Sequence, residues 1–205
     1  QKSFHPRLME IEQALSENSF TREGYSFIGW NTDADGNGTA YDNQQVVKNL
    51  KESGEIVLYA QWKTGQSKYF YYVNKQNLDG SYDAVDFADA DIAFTSRTDD
   101  TDKVLDINEI VSKINITGFA YDTTEGYKSN QVNNGLKVSA TEPLRVILYF
   151  ARESYNVTLG TENGSLTLDT AQTGVSDNAD GTYSVLYGAT VVVNATAKEG
   201  YNITH

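Results

Sequence analysis

The sequence predicts a mostly β chain of the α+β class, built from small modules in tandem, and three observations support this class. Apolar and polar residues alternate through 56–62 with a period of two, which is typical of a strand with one buried face. Tyrosine, a residue that fits pleated strands, occurs 14 times among 205 residues. A strong helical pattern occupies only a short stretch near 107–114.

The first module is predicted to span residues 1–64. It contains the strand pattern at 56–62. Another strand is predicted earlier in the chain, over 24–30, and it is followed by the turn-rich segment 33–38 with its Asp, Asn and Gly residues. Near the start of the chain, Pro6 precedes apolar residues at helical spacing that reach Leu15. This arrangement favours a short helix there, because proline is well tolerated in the first helical turn.

The second module is predicted over 65–153. Strand patterns open it at 68–73 and close it at 145–150, where aromatic and β-branched residues are concentrated. The strand-rich patterns are interrupted at 64–67 and at 153–154, and these interruptions separate the second module from its neighbours. Because these connections are short, we expect the modules to be joined with little freedom.

A helix is predicted between the two strands of this second module. Asp106 stands where an N-cap belongs and Glu109 follows three residues later, which is a capping-box signature. The apolar residues of 107–114 then recur on one helical face. We expect this face to pack on strands containing Tyr71 and Leu148, as in an α+β arrangement.

The third module, 154–205, is predicted to be all β. Alternating tyrosine, valine and leucine residues run through it. The pairs Asn163-Gly164 and Asp180-Gly181 stand where hairpin turns are expected, because both pairs readily adopt the left-handed backbone that such turns need.

Several motifs of the first module resemble a known repeat. The sequence reads FTREGY at 20–25, GWNT at 29–32 and LYAQW at 58–62. Over 18–63 the chain closely resembles the internalin B-repeat family, also called the Listeria–Bacteroides repeat. This resemblance implies a small β-grasp-like fold, repeated along bacterial surface proteins and without enzymatic activity. The first strand of the family is expected to be missing here.

Two looser resemblances concern the rest of the chain. Residues 117–152 are similar to mucin-binding-type β-grasp modules through GFAYD at 118–122 and the closing LYFAR at 148–152. Residues 155–201 are similar to a divergent bacterial repeat that is truncated at its end. Together the resemblances imply tandem β-grasp-like modules, and the short connections between the modules predict a semi-rigid rod.

Composition excludes several kinds of chemistry. The net charge is −12, from 16 basic and 28 acidic residues, so nucleic acids and anionic membranes would be repelled. Without cysteine, the chain has no disulfide, no thiolate-bound metal and no cysteine nucleophile. The two histidines, His5 and His205, stand at opposite ends of the sequence, which argues against a Ser-His-Asp site. We therefore predict no catalytic residue, no cofactor and a monomeric chain.

The strongest metal candidate is a loop that resembles the first half of an EF-hand. Asp33, Asp35 and Asn37 supply oxygen atoms at the first, third and fifth positions, and Gly38 takes the sixth. The twelfth position, where a bidentate glutamate belongs, is the neutral Gln44. We therefore interpret the segment as a turn. A second acidic stretch, 83–102, could hold hard cations, but we interpret it as a solvated surface.

Aromatic residues offer two alternative interpretations. Trp30, Trp62, Tyr25 and Tyr59 could form a platform for sugars. With other apolar residues of the same module, the tryptophans could instead fill the core of a small domain, which has few large side chains available. Domain size favours the core.

Three functions remain open at this level. The first is a non-catalytic spacer or adhesive repeat of a secreted bacterial surface protein, attached to the cell wall through regions outside this sequence. The second is a module that binds a host glycoprotein or glycan. The third is a set of accessory domains of a large surface hydrolase. The resemblance and the acidic, cysteine-free composition favour the first.

Overall fold

The computed structural model describes residues 12–48, 55–131 and 135–204. Within these ranges the chain forms fifteen strands and one short helix, which confirms the mostly β class. The elements are β1 Glu12–Ala14, β2 Tyr25–Asn31, β3 Ala40–Tyr41, β4 Val46–Lys48, β5 Tyr59–Thr64, β6 Gln66–Lys75, β7 Thr95–Asp100, α1 Ile107–Val111, β8 Phe119–Tyr121, β9 Tyr127–Ser129, β10 Arg145–Arg152, β11 Ser154–Thr158, β12 Gly164–Leu168, β13 Val175–Asp177, β14 Thr182–Leu186 and β15 Val193–Ala197.

The described chain divides into two compact units. The first contains residues up to Lys68 together with Thr98–Lys103 and Val138–Pro143. The second contains the remaining segments, including everything from Leu144 onward. The predicted division into three modules stays a prediction, because compactness alone does not establish which segments fold independently.

The first unit contains two small antiparallel sheets. In one, β2 lies between β3 and β5, and a bulge interrupts its pairing with β5 between Phe27 and Gly29. In the other, β1 pairs with β4. The strand predicted at 24–30 is therefore confirmed as β2, whereas the strand predicted at 56–62 begins later, as β5.

The helix predicted before Leu15 is wrong in its described part. Residues Glu12–Ala14 form β1, whose register pairs Glu12 with Lys48 and Ala14 with Val46. Long-range pairing therefore decides the conformation here, and it overrides a weak local spacing. Pro6 and the residues up to position 11 lie outside the described ranges.

The second unit contains most of a mixed sheet with the order β7-β6-β10-β8, in which β9 also pairs with β10. Strands β6 and β10 are parallel, with Arg145 opposite Phe70 and Phe150 opposite Lys75. Parallel neighbours need a long crossover connection, and α1 lies in that connection. The strands predicted at 68–73 and 145–150 are confirmed.

The apolar residues of β10 form the centre of this unit. Val146, Ile147 and Leu148 have no exposed surface, and Phe150 is 2% exposed. Consecutive residues of a strand point to opposite faces of a sheet. Both faces of β10 are therefore covered, as in the buried strands of parallel sheets.

The predicted cap of the helix is confirmed. The Asp106 side chain accepts a hydrogen bond from the backbone N–H of Asn108, with 2.9 Å between the two heavy atoms. Ile110 is the buried residue of α1, at 2% exposure. The helix ends at Val111 rather than at 114, where the backbone N–H of Ile114 bonds the Val111 carbonyl in a tighter turn.

The C-terminal segment of the second unit contains two further small sheets. One has the order β11-β14-β13 and the other pairs β12 with β15. The predicted turn at Asp180-Gly181 is confirmed, since it joins the paired strands β13 and β14. The hairpin predicted at Asn163-Gly164 is wrong, because the strands on either side of it, β11 and β12, pair in different sheets.

Candidate functional site

An aromatic cluster covers one side of the β2–β5 sheet in the first unit. The register places Phe27 opposite Trp62, and their ring centroids are 5.6 Å apart in an edge-to-face arrangement. Trp30 contacts Phe27 at 5.1 Å and Phe20 at 6.1 Å, again edge to face. Such ring pairs stabilise a fold by about 0.5–1.5 kcal/mol beyond their area burial.

Part of this cluster opens to the surface as a cleft. Phe20 is 62% exposed and Tyr59 is 42% exposed, while Trp30, Trp62 and Leu58 are half-buried. These five residues line the cleft together with Thr21, Arg22 and Ala60. We refer to this set as the aromatic cleft.

The aromatic cleft contains three of the four residues considered as a sugar platform. Trp30, Trp62 and Tyr59 line it. Tyr25 is not among the lining residues, and its ring instead lies 3.6 Å from the guanidinium carbon of Arg22. The tryptophans are thus shared between packing and surface, so the two interpretations made from sequence are not exclusive.

Trp30 carries a buried polar atom that lacks a partner. Its indole nitrogen is the one buried side-chain donor or acceptor without a hydrogen bond within the described ranges. Trp30 also lines a second cavity, together with Tyr41, Gln45 and Gln61. An unsatisfied buried donor lowers the free energy of unfolding by about 1–3 kcal/mol, so the unpaired indole nitrogen makes the cluster less stable.

The turn at 33–38 is organised by a buried asparagine. Asn31 is 3% exposed, and its Oδ1 accepts from the backbone N–H groups of Asp33 at 2.9 Å and of Gly38 at 3.0 Å. Its Nδ2 donates to the Gly36 carbonyl at 3.1 Å. One amide side chain therefore holds both ends of the loop.

The candidate calcium ligands Asp33, Asp35 and Asn37 are exposed in this turn. The Asp33 carboxylate accepts from the Asp35 backbone N–H at 3.0 Å, and the Gln61 side chain donates to the Asp33 carbonyl at 3.3 Å. Asn37 lies in the same turn, and Gln44 lies elsewhere with a φ of 59°. In the described parts of the chain, no group of three or more His, Cys, Asp or Glu side chains is arranged to hold a metal ion.

The acidic stretch 83–102 makes local contacts. Asp86 accepts from the Ala88 backbone N–H at 2.9 Å, and Asp89 accepts from that of Asp91 at 3.0 Å. Asp99 forms an ion pair of 3.0 Å with Lys103. Turn formation and local pairing account for these carboxylates.

Sequence reasoning missed one polar pair in the second unit. The Tyr82 hydroxyl donates to Asp122 Oδ2 at 2.8 Å, and the Tyr82 ring lies 5.0 Å from that of Tyr149. Burial, with Asp122 alongside, raises the pKa of Tyr82. Burial acts to raise the pKa of Asp122, but hydrogen bonds from Tyr82 and from the backbone of Glu125 and Thr124 outweigh it and lower the pKa.

The two histidines, His5 and His205, lie outside the described ranges.

Neither Asn31 nor Tyr82 was singled out from the sequence. The available signal for Asn31 was its position immediately before a loop rich in Asp and Gly, where Asn side chains often bond the backbone. Tyr82 and Asp122 are 40 residues apart, and no local pattern connects them.

A known family model matches part of the first unit. Residues 9–61 match the family model of the Listeria-Bacteroides repeat domain, which confirms the resemblance seen at 18–63. The match begins before the quoted motifs and includes β1. Repeats of this family occur in extracellular surface proteins. No curated protein and no solved structure matches the chain significantly.

Within the described residues, no helix is both long enough and apolar enough to cross a bilayer.

Proposed function

We propose that this chain is a non-catalytic repeat region of a bacterial cell-surface protein, where it acts as a spacer. The observation that carries the proposal is the match of residues 9–61 to the Listeria-Bacteroides repeat domain. In this proposal the protein is secreted, and regions outside the sequence attach it to the cell wall. The acidic composition suits a solvated exterior position, because like charges keep such repeats apart.

The β-grasp-like fold of the middle module belongs to the same proposal. The topology of the mixed sheet supports it, since the first strand β6 and the last strand β10 are parallel neighbours at its centre. The other strands flank this pair, and α1 lies in the crossover between them. A tandem of such modules would place further domains at a defined distance from the wall.

An accessibility experiment tests the spacer function. The chain would be displayed on a bacterial surface between a wall anchor and a terminal epitope, and it would be compared with a direct fusion of epitope to anchor. We expect antibody-coated beads to capture cells carrying the chain and to lose the cells with the direct fusion. Equal capture of both strains would contradict the proposal.

Adhesion through the aromatic cleft is a second candidate function. The observation that favours it is the exposure of Phe20 and Tyr59 beside two half-buried tryptophans, since aromatic residues with one accessible face are frequent in binding sites. The ligand class in this case is a host glycan or glycoprotein. Glycan arrays and immobilised mucin would provide the measurement.

Matched variants separate specific binding from general stickiness. Tyr59→Ala is expected to abolish binding if the cleft is the site, whereas Tyr155→Ala removes a tyrosine of similar exposure, 47%, outside the cleft. Equal losses in both variants would remove the cleft from consideration. Release of sugars from the same glycans would instead indicate a hydrolase and contradict the non-catalytic proposal.

A further inference from the structure

The terminal repeat, residues 154–205, follows the mixed sheet of the second unit without a linker. Strand β10 ends at Arg152 and β11 begins at Ser154, so a single residue, Glu153, connects them. The backbone N–H of Glu153 donates to the Gly118 carbonyl at 2.9 Å, and its carbonyl accepts from the Tyr187 N–H at 2.9 Å. The connecting residue is therefore held from both sides.

Arg152 joins the same two parts through its side chain. Its Nε donates to the Gln76 carbonyl at 2.7 Å, while Nη1 donates to the Tyr187 carbonyl at 2.7 Å. The guanidinium carbon also lies 4.9 Å from the centroid of the Phe119 ring. A planar guanidinium can make such divergent bonds at once, whereas a lysine ammonium on a flexible stem cannot reproduce the fork.

The third contact between the two parts is made by the Tyr187 ring, which packs directly against the backbone of Gly118. The Tyr187 and Phe119 rings meet edge to face with 5.9 Å between their centroids. A Cβ atom at Gly118 would lie only 2.1 Å from the Tyr187 ring, and Gly118 has a φ of 77°. Glycine is therefore required at position 118 for two reasons. It tolerates the left-handed backbone conformation, and it leaves room for the Tyr187 ring.

The terminal repeat has a small core of its own. Four hydrophobic residues are buried in it: Leu168, Val175, Tyr183 and Val185. Domains of about 60 residues are marginally stable because they bury a small fraction of their surface. Contacts with a neighbouring, better packed sheet should therefore contribute appreciably to the stability of this repeat.

We propose that Gly118, Phe119, Arg152 and Tyr187 form a locked joint, which makes the mixed sheet and the terminal repeat move as one body. The joint couples the stability of the terminal repeat to Arg152. The joint would give the chain local stiffness, and the use of that stiffness rests on the proposed spacer function. A distance measurement tests the joint itself, so the two proposals can fail separately.

The absence of cysteine makes this measurement direct. Cysteines introduced at the exposed positions Ser96 in β7 and Ser165 in β12 would carry spin labels in the full chain, and double electron–electron resonance would give their distance distribution. We expect one narrow distribution for the parent chain and a broader one for Arg152→Lys. Arg145→Lys is the matched control, because Arg145 lies at the other end of β10 and contacts Phe70 and Phe94 instead.

Hydrogen exchange adds a readout of stability. Loss of the charged hydrogen bonds of Arg152 should make the β14 amides exchange roughly tenfold faster or more, while those of β10 stay protected. Complete loss of protection in β11–β14 with β10 intact would also support the joint. Equal distance distributions and equal exchange in the Arg152→Lys and Arg145→Lys chains would overturn it.

A pair of glycine variants tests the ring contact. Gly118→Ala and Gly126→Ala both place a side chain on left-handed backbone, with φ of 77° and 66°, but the atom nearest the new Cβ at Gly126 is 3.8 Å away. We expect Gly118→Ala to broaden the label distance and Gly126→Ala to leave it narrow. If both variants broaden the label distance, backbone strain is the cause. If both leave it narrow, neither strain nor the ring contact matters. In either case the ring contact does not lock the joint.

Discussion

The two units of this protein bury their apolar residues in different ways. In the second unit, Val146, Ile147 and Leu148 are fully buried, although they are consecutive in β10. In the first unit, Phe27 and Trp62, the facing residues of β2 and β5, remain half-buried. Large aromatic residues do not by themselves produce a dry core. A strand becomes fully buried when it has neighbours on both edges and layers on both faces.

This difference has a functional consequence. A unit with fully covered strands can supply stability, whereas a unit whose aromatic residues are partly exposed can also present a surface. The mixed sheet therefore suits a structural role, and the aromatic cleft is where contact with a ligand would be expected. The following predictions test this comparison, beginning with the largest effect.

Truncation of a core residue in β10 should have the largest effect. Leu148→Ala is expected to lower the free energy of unfolding by about 2–5 kcal/mol, because it removes a buried side chain and leaves a cavity. Val57→Ala, at a position that is 55% exposed, should change it by less than about 0.5 kcal/mol. Urea unfolding followed by circular dichroism gives both values. Similar values for the two variants would contradict the contrast between core and surface.

Removal of the buried amide in the first unit should have the next largest effect. Asn31→Ala is expected to destabilise this unit by about 2–3 kcal/mol, because the loop groups that it bonds lose their partners. Asn37→Ala, at an exposed position of the same turn, should be nearly neutral. Both tryptophans, Trp30 and Trp62, lie in this unit, so tryptophan fluorescence reports its unfolding. A neutral Asn31→Ala would show that the turn forms without the amide.

Loss of the helix cap should have a smaller effect. Asp106→Ala is expected to cost about 1 kcal/mol, since the N–H of Asn108 then loses its acceptor. Asp106→Ser keeps a capping oxygen and should recover most of this loss. A stability equal to that of the parent chain in Asp106→Ala would mean that the cap does not contribute.

The Tyr82–Asp122 pair should give a pH dependence. The fold lowers the pKa of Asp122, so its contribution to stability is present above the unfolded pKa of about 3.9 and is lost as the pH falls through the folded pKa. Tyr82→Phe removes one hydrogen bond to this carboxylate, so the loss of stability on acidification should become shallower. Melting temperatures between pH 6 and pH 2, with Asp122→Asn as the non-titrating control, provide the test. An unchanged slope in Tyr82→Phe would contradict this assignment.

Calcium is expected to have the smallest effect. If 33–38 is a turn held by Asn31, millimolar calcium and EDTA should leave the melting temperature unchanged, because a ligand shifts it only when it binds the native state. A calcium-dependent rise of several degrees that Asp33→Ala abolishes would contradict the turn interpretation. Calcium-stabilised adhesion would then become the better account of the first unit.

Local sequence signals predicted several strands and the start of the helix, and the repeat motifs predicted the family of the first unit. Aromatic and β-branched residues predicted β10, the pattern at 24–30 predicted β2, and Asp106 predicted the start of α1, because strand preference and helix caps depend on residues within a few positions. The motifs at 20–25 and 58–62 identified the repeat for a similar reason, since they form a long and specific pattern.

Tertiary structure decided what no local pattern contains. Residues 12–14 became a strand because β4 pairs with them, and Asn163-Gly164 failed as a hairpin turn because the neighbouring strands pair in different sheets. The bonds of Arg152 to Gln76 and Tyr187 join residues far apart in the sequence. Such pairings depend on the free energy of the whole fold, and a short segment does not specify them by itself.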